Sequence, residues 1–185
     1  MRNIPTTLFI LSLCGCTSYP IEQETKQVAQ VCAGDIQLPG FVADRFESID
    51  DAPLLDEALG SPKAGKLCQG QVYRSKENTR ITLFRAWNST NPNSKFGKWW
   101  AFQVPSGKIS SYRSDYEICY QWSPLDMLVS CTLKPDTKVV VGTGQSAECS
   151  EYLTYPVSEK KQVYLDDASS SLTDCKVLSG EFSWQ

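Results

Sequence analysis

Eight cysteines in a chain of 185 residues constrain this sequence more than anything else in it. Six of them, Cys32, Cys68, Cys119, Cys131, Cys149 and Cys175, are dispersed over most of its length, and no two stand in C-x-x-C spacing. In an exported protein an even, dispersed set reads as disulfides, which tie together segments far apart in sequence. Zinc ribbons and thioredoxin-like sites use the close pairs that are missing here. Which cysteine joins which stays open at this level, because six can be connected in many ways.

The N-terminus supplies the argument for export. MRNIPTTLFILSLCGC has a basic residue at Arg2, an apolar run from Leu8 to Leu13 and a small-residue ending, the pattern of a secretory signal. The run falls short of the roughly 20 apolar residues that span a bilayer. Leu13-Cys14-Gly15-Cys16 is similar to the lipobox of bacterial lipoproteins. That resemblance implies cleavage before Cys16, lipidation of Cys16 and anchoring to a membrane. Thr17, not Asp, follows, which in enterobacterial lipoproteins implies the outer membrane. The expected organisation is a signal peptide over 1–15, a lipidated tether over 16–40 and one domain over 41–185. The expected location is the bacterial cell envelope, facing the periplasm or the cell surface.

Composition then removes whole classes of chemistry. There is no histidine, which excludes Ser-His-Asp and Cys-His catalysis in their usual forms and His-ligated zinc. No metal is expected. Eighteen basic residues against 21 acidic ones leave no basic surface for nucleic acid. Any catalysis must come from carboxylates, amides, tyrosines or cations held in position.

Periodicity predicts an α+β domain. Residues 42–59 have helical spacing, with Pro53 dividing them into two short helices. Strand-like runs follow at 70–74, 80–87, 98–104, 117–122, 127–133, 137–141, 161–166 and 175–183. One helix interrupts them over 106–116, with Ser106 as its N-cap.

Four stretches could carry function. In ITLFRAW, alternation puts Arg85 on the face of Ile81, Leu83 and Trp87, and a guanidinium there needs either an internal carboxylate or a ligand. Trp99 and Trp100, adjacent on a strand, point to opposite faces. Tyr112 and Tyr116 are one helical turn apart. Gln162 begins the strand KQVYLD. Arg74 in VYRS is a second candidate for the strand arginine.

The order of these stretches resembles the bacterial ADP-ribosyltransferase-like superfamily of NAD-binding and NAD glycohydrolase toxins, over roughly 70–167. The carriers are Leu83-Phe84-Arg85-Ala86-Trp87, Gly97-Lys98-Trp99-Trp100-Ala101-Phe102, the Tyr112–Tyr116 helix, and Tyr155-Pro156 leading to Gln162-Val163-Tyr164-Leu165. The resemblance implies an ADP-ribosyltransferase-like split β-sheet core behind a short helical N-terminal lead-in, with NAD as substrate. It implies Arg85 and Gln162 as catalytic residues, and Arg85, Trp99, Trp100, Tyr112 and Tyr116 as the groups holding NAD. Two departures matter. Ala101 stands at the usual Ser of the middle motif, and Lys160-Lys161-Gln162 replaces the usual Glu-x-Glu or Gln-x-Glu. Gln brings no negative charge, so glycohydrolysis or a lost activity is expected rather than transfer to an arginine side chain. The alternative expectation is a non-enzymatic envelope lipoprotein, an immunity, inhibitor or assembly factor that binds a protein partner.

Overall fold

The computed structural model describes residues 31–77 and 80–178. The signal-like segment, Cys14 and Cys16 lie outside these residues, as does the end of the strand expected at 175–183. In chain order the described residues form β1 (Phe46–Ser48), α1 (Ala52–Ala58), β2 (Leu67–Ser75), β3 (Ile81–Trp87), β4 (Trp99–Trp100) and α2 (Ile109–Asp115). There follow β5 (Met127–Leu133), β6 (Lys138–Gly144), β7 (Ala147–Ser150), β8 (Leu153–Tyr155), β9 (Lys161–Tyr164), α3 (Ala168–Ser171) and β10 (Leu172–Leu178). The strands pair antiparallel in three sheets, of order β1-β2-β6-β9-β4, β10-β5-β3 and β7-β8.

Strand β6 shows why the sequence folds this way. Val139, Val140 and Val141 are β-branched, and all three are fully buried, so the strand is covered on both faces. Val139 and Val141 pack with Ile81, Leu83, Val129 and Leu133 of the three-stranded sheet. Val140 packs on the opposite side with Ala58, Leu67 and Val72, beneath α1. Each fully buried aliphatic side chain contributes about 1.5–3 kcal/mol relative to exposure. The two larger sheets also join through backbone bonds, Phe84 N to Ala101 O at 2.8 Å and Ala101 N to Phe84 O at 2.9 Å. That crossover brings β3 beside β4.

The expected α+β domain, an ADP-ribosyltransferase-like split-sheet core with a helical lead-in, is corrected: the chain is mostly β, and its lead-in contains a strand. Phe46–Ser48 pairs with β2, and Phe46 is buried edge-on against Tyr73 and Phe102. A sheet edge thus captures residues whose spacing suits a helix. Pro53 does not divide two helices. It lies in the first turn of α1, where its missing N–H costs nothing, and Asp51 caps the helix by accepting from Leu54 N at 3.2 Å. The strand expected at 98–104 shortens to β4 because Ala101 leaves to pair with Phe84. The strand expected at 117–122 is a turn. Helix α2 starts after Lys108 and receives no side-chain cap from Ser106.

All six dispersed cysteines pair, as Cys32–Cys68, Cys119–Cys149 and Cys131–Cys175. The first pins residues expected in the tether onto β2. Gln69 Nε2 donates to Gly34 O at 2.9 Å, Tyr73 Oη to Ile36 O at 3.0 Å, and Lys161 pairs with Asp35 at 2.7 Å. Three disulfides place the protein in an oxidising, extracytoplasmic compartment. Among the described residues no helix is long and apolar enough to cross a membrane.

Candidate functional site

A cavity of about 200 Å3 opens where β3, β4, α2 and β9 meet. Arg85 reaches it from β3. Its Nε donates to Ser94 O at 2.8 Å and its Nη1 to Trp99 O at 2.6 Å. The turn at Pro92–Phe96 presents the first carbonyl, and Ser94 Oγ braces that turn by accepting from Asn88 N at 3.1 Å and donating to Asn91 O at 2.7 Å. Gly97 makes room for the guanidinium, since a Cβ there would lie 2.3 Å from Nη2. Among the described residues no carboxylate pairs with Arg85. Burial pulls its pKa down to about 10, with Tyr112 opposing that shift, so it carries a full positive charge near neutrality. Carbonyl dipoles, rather than an opposite charge, hold this cation at the cavity wall.

The aromatic residues complete the walls. Trp100 is 2% exposed, belongs to the core below the sheet and donates from Nε1 to Gly97 O at 2.7 Å. Trp99 takes the opposite face, where its ring lies 5.0 Å from that of Tyr164. Tyr112 and Tyr116 come from successive turns of α2, with ring centroids 4.6 Å apart. Burial pushes the Tyr112 phenol pKa up and that of Tyr116 to about 12, so both stay protonated donors. Trp99, Trp100, Tyr112 and Tyr116 all border the cavity.

At the far side stands Gln162, 6% exposed, opposite Gly142 in the sheet. Its Nε2 donates to Glu117 Oε2 at 2.6 Å. Sequence reasoning missed Glu117 by placing it in a strand. It follows the C-cap residue Tyr116 of α2, at φ +48°, and Ile118 N returns to Arg113 O at 2.9 Å. This is a Schellman ending, and its left-handed position ordinarily carries Gly. A non-glycine residue there costs about 1–2 kcal/mol. Arg113 fixes the next residues by donating from Nη1 to Ile118 O and Cys119 O at 3.2 and 3.3 Å and from Nη2 to Ser123 O at 2.6 Å. The Glu117 carboxyl fits because residue 144 is Gly, whose Cβ would stand 1.8 Å from Oε2. Burial pushes its pKa up to about 9, against the Gln162 bond, and the negative Asp115 adds to the rise. The acid is therefore neutral at pH 7.

The structure thus brings Arg85, Trp99, Trp100, Tyr112, Tyr116 and Gln162 to one cavity, together with Glu117. It leaves Arg74 elsewhere, on the surface between Glu47 and Asp136. Glu159, Lys160 and Lys161 line a second depression of about 250 Å3, with Phe41 and Phe102. Tyr116 borders both. Ala101 is buried in the crossover. Among the described residues no cluster of acidic or cysteine side chains is arranged to hold a metal. No family model, curated protein or solved structure matches the chain.

Proposed function

We propose that this chain is an exported lipoprotein that binds NAD and cleaves its nicotinamide–ribose bond, with water adding to the ribose carbon to give ADP-ribose and a proton as nicotinamide leaves. The observation that carries this reading is a charged arginine that has no carboxylate partner among the described residues and shares one aromatic cavity with Gln162. Arg85 suits a dinucleotide phosphate, because its planar fork still has donor capacity. The aromatics suit a flat ring, and Gln162 suits a ribose hydroxyl. A cavity of about 200 Å3 is smaller than the 300–1,000 Å3 that encloses a whole drug-sized ligand, so it takes one end of the dinucleotide. The depression past Tyr116 offers Lys160 and Phe41 to the other end. The motif order that resembles the ADP-ribosyltransferase-like superfamily supplies the identity of the ligand.

The test is NAD cleavage by the soluble domain beside Arg85→Ala and Gln162→Ala. The expected result is turnover in the parent and a loss of about 100-fold or more in each variant. A parent that neither binds nor cleaves NAD overturns the reading. The anchor is part of the same proposal: Cys16 carries lipid and holds the domain at the outer membrane, and Cys16→Ser releases it from the membrane fraction.

A second reading rests on Tyr120, Trp122 and Tyr152, which are 59%, 54% and 89% exposed. They sit on segments joined by Cys119–Cys149, and aromatic groups of this kind are enriched in protein interfaces. This reading makes the chain a binder of a protein partner. A partner that is retained by Arg85→Ala and lost on Tyr152→Ala supports it.

A further inference from the structure

Glu117 bears two local costs at once. Its backbone is held in the left-handed region that favours glycine. Its Oε1 is buried without a hydrogen-bond partner among the described residues, while Oε2 is occupied by Gln162. Paired costs of this kind at a cavity wall point to a function for the side chain rather than to packing. The residue is not needed to end α2, since Gly would do so better.

The surroundings define what this acid can do. From α2, Asp115 bears a negative charge toward it, partly offset by Lys160 at 3.9 Å from Asp115. From β9 comes the neutral amide of Gln162, and the Ser158 hydroxyl, like that amide, favours the ionised acid and opposes the effect of burial. Gly144 of β6 offers only backbone. Across the cavity stand Arg85, Lys66 and the phenols of Tyr112 and Tyr116. No cation is bonded to Glu117 among the described residues. A positive charge entering the cavity favours the ionised acid, whereas a neutral ring gains nothing from it.

We propose that Glu117 makes the cavity selective for a positively charged aromatic ring, the pyridinium of NAD, over the neutral dihydropyridine of NADH, and that the cation expels the carboxyl proton to solvent as it binds. The inference rests on the NAD reading above and adds the basis of its redox selectivity. Only a proton moves: the carboxyl O–H is lost to buffer, no other bond breaks, and the carboxylate remains beside the ring. The free site holds the acid neutral up to about pH 9, so NAD affinity rises with pH up to that point and NADH affinity does not.

Isothermal titration of the soluble domain with NAD and with NADH, in two buffers of different ionisation enthalpy, is the test. NAD is expected to release close to one proton at pH 7 and to bind about tenfold or more tightly than NADH. Glu117→Gln keeps the shape and a bond to Gln162. Glu117→Gly suits the left-handed backbone, so it folds even if the amide variant does not. Both are expected to lose the proton release and to bind NAD no better than NADH. Proton release and NAD preference that survive in both variants overturn the inference while leaving NAD binding standing. A parent that binds NAD and NADH equally, with no proton released, overturns it as well. A parent that binds neither overturns the NAD reading and the inference with it.

Discussion

Arg85 and Glu117 face one cavity, yet only the first could be found from the sequence. Arg85 announced itself because a permanent cation broke the alternation of a strand. Glu117 has no such signature, since its position in a left-handed helix ending and its pairing with Gln162, 45 residues away, exist only in the fold. The guanidinium depends on a residue that touches no ligand. Gly97→Ala puts a methyl group where Nη2 lies, so Arg85 must abandon its two carbonyl bonds. We expect a loss of about 1–3 kcal/mol in urea unfolding and loss of NAD binding. Glu117 makes a prediction about pH. Its folded pKa of about 9 exceeds the ordinary carboxyl value of 4.5, so the folded state holds a proton that the unfolded chain has released. Stability therefore falls as pH rises from about 4.5 to about 9 and levels off above. Thermal unfolding across that range should show Glu117→Gln gaining on the parent as pH increases, and parallel curves would disprove the assignment.

At the scale of elements, the buried strands were the legible part. MLVSCTL reads as a strand over 127–133 and forms one over the same residues. The valines of β6 are unmistakable, although its buried tail, Gly142-Thr143-Gly144, was not foreseen as strand. Failure came where a partner decides the structure. EICYQW is rich in the β-branched and aromatic residues that favour strands, but Arg113 gathers three of the carbonyls between residues 118 and 123 and Cys119 is tied to Cys149. The segment closes into a turn, leaving Tyr120 and Trp122 exposed. Arg113 is therefore the element-scale brace of the cavity wall that carries Glu117 and Trp122. Arg113→Ala removes bonds to three carbonyls, and we expect a cost of about 1.5–3 kcal/mol in chemical denaturation. Faster amide exchange should be confined to residues 117–125, and a global speeding of exchange would show that the brace is not local.

For the whole molecule, cysteine parity told the compartment, and the fold told the pairing. Fold class was misread because short strands such as β1, β7 and β8 leave almost no periodic trace. The crosslinks are not equivalent. Cys32–Cys68 holds a leading segment against β2, whereas Cys131–Cys175 links neighbouring strands of the three-stranded sheet. Each closes a loop of 30 to 44 residues and contributes about 2–4 kcal/mol. We expect the double variant Cys32→Ser/Cys68→Ser to loosen residues 31–40 while leaving exchange in β5 and β6 slow. The corresponding change at Cys119 and Cys149 should lower NAD affinity, because that crosslink ends the turn that walls the cavity.

The Cys119–Cys149 bridge also sets when the cavity can first exist. A chain still inside the reducing cytoplasm has two thiols there, and its wall segment is held only by hydrogen bonds such as those of Arg113, of Gln162 to Glu117 and of Gln121 to Cys149 O. Oxidation after export completes the wall.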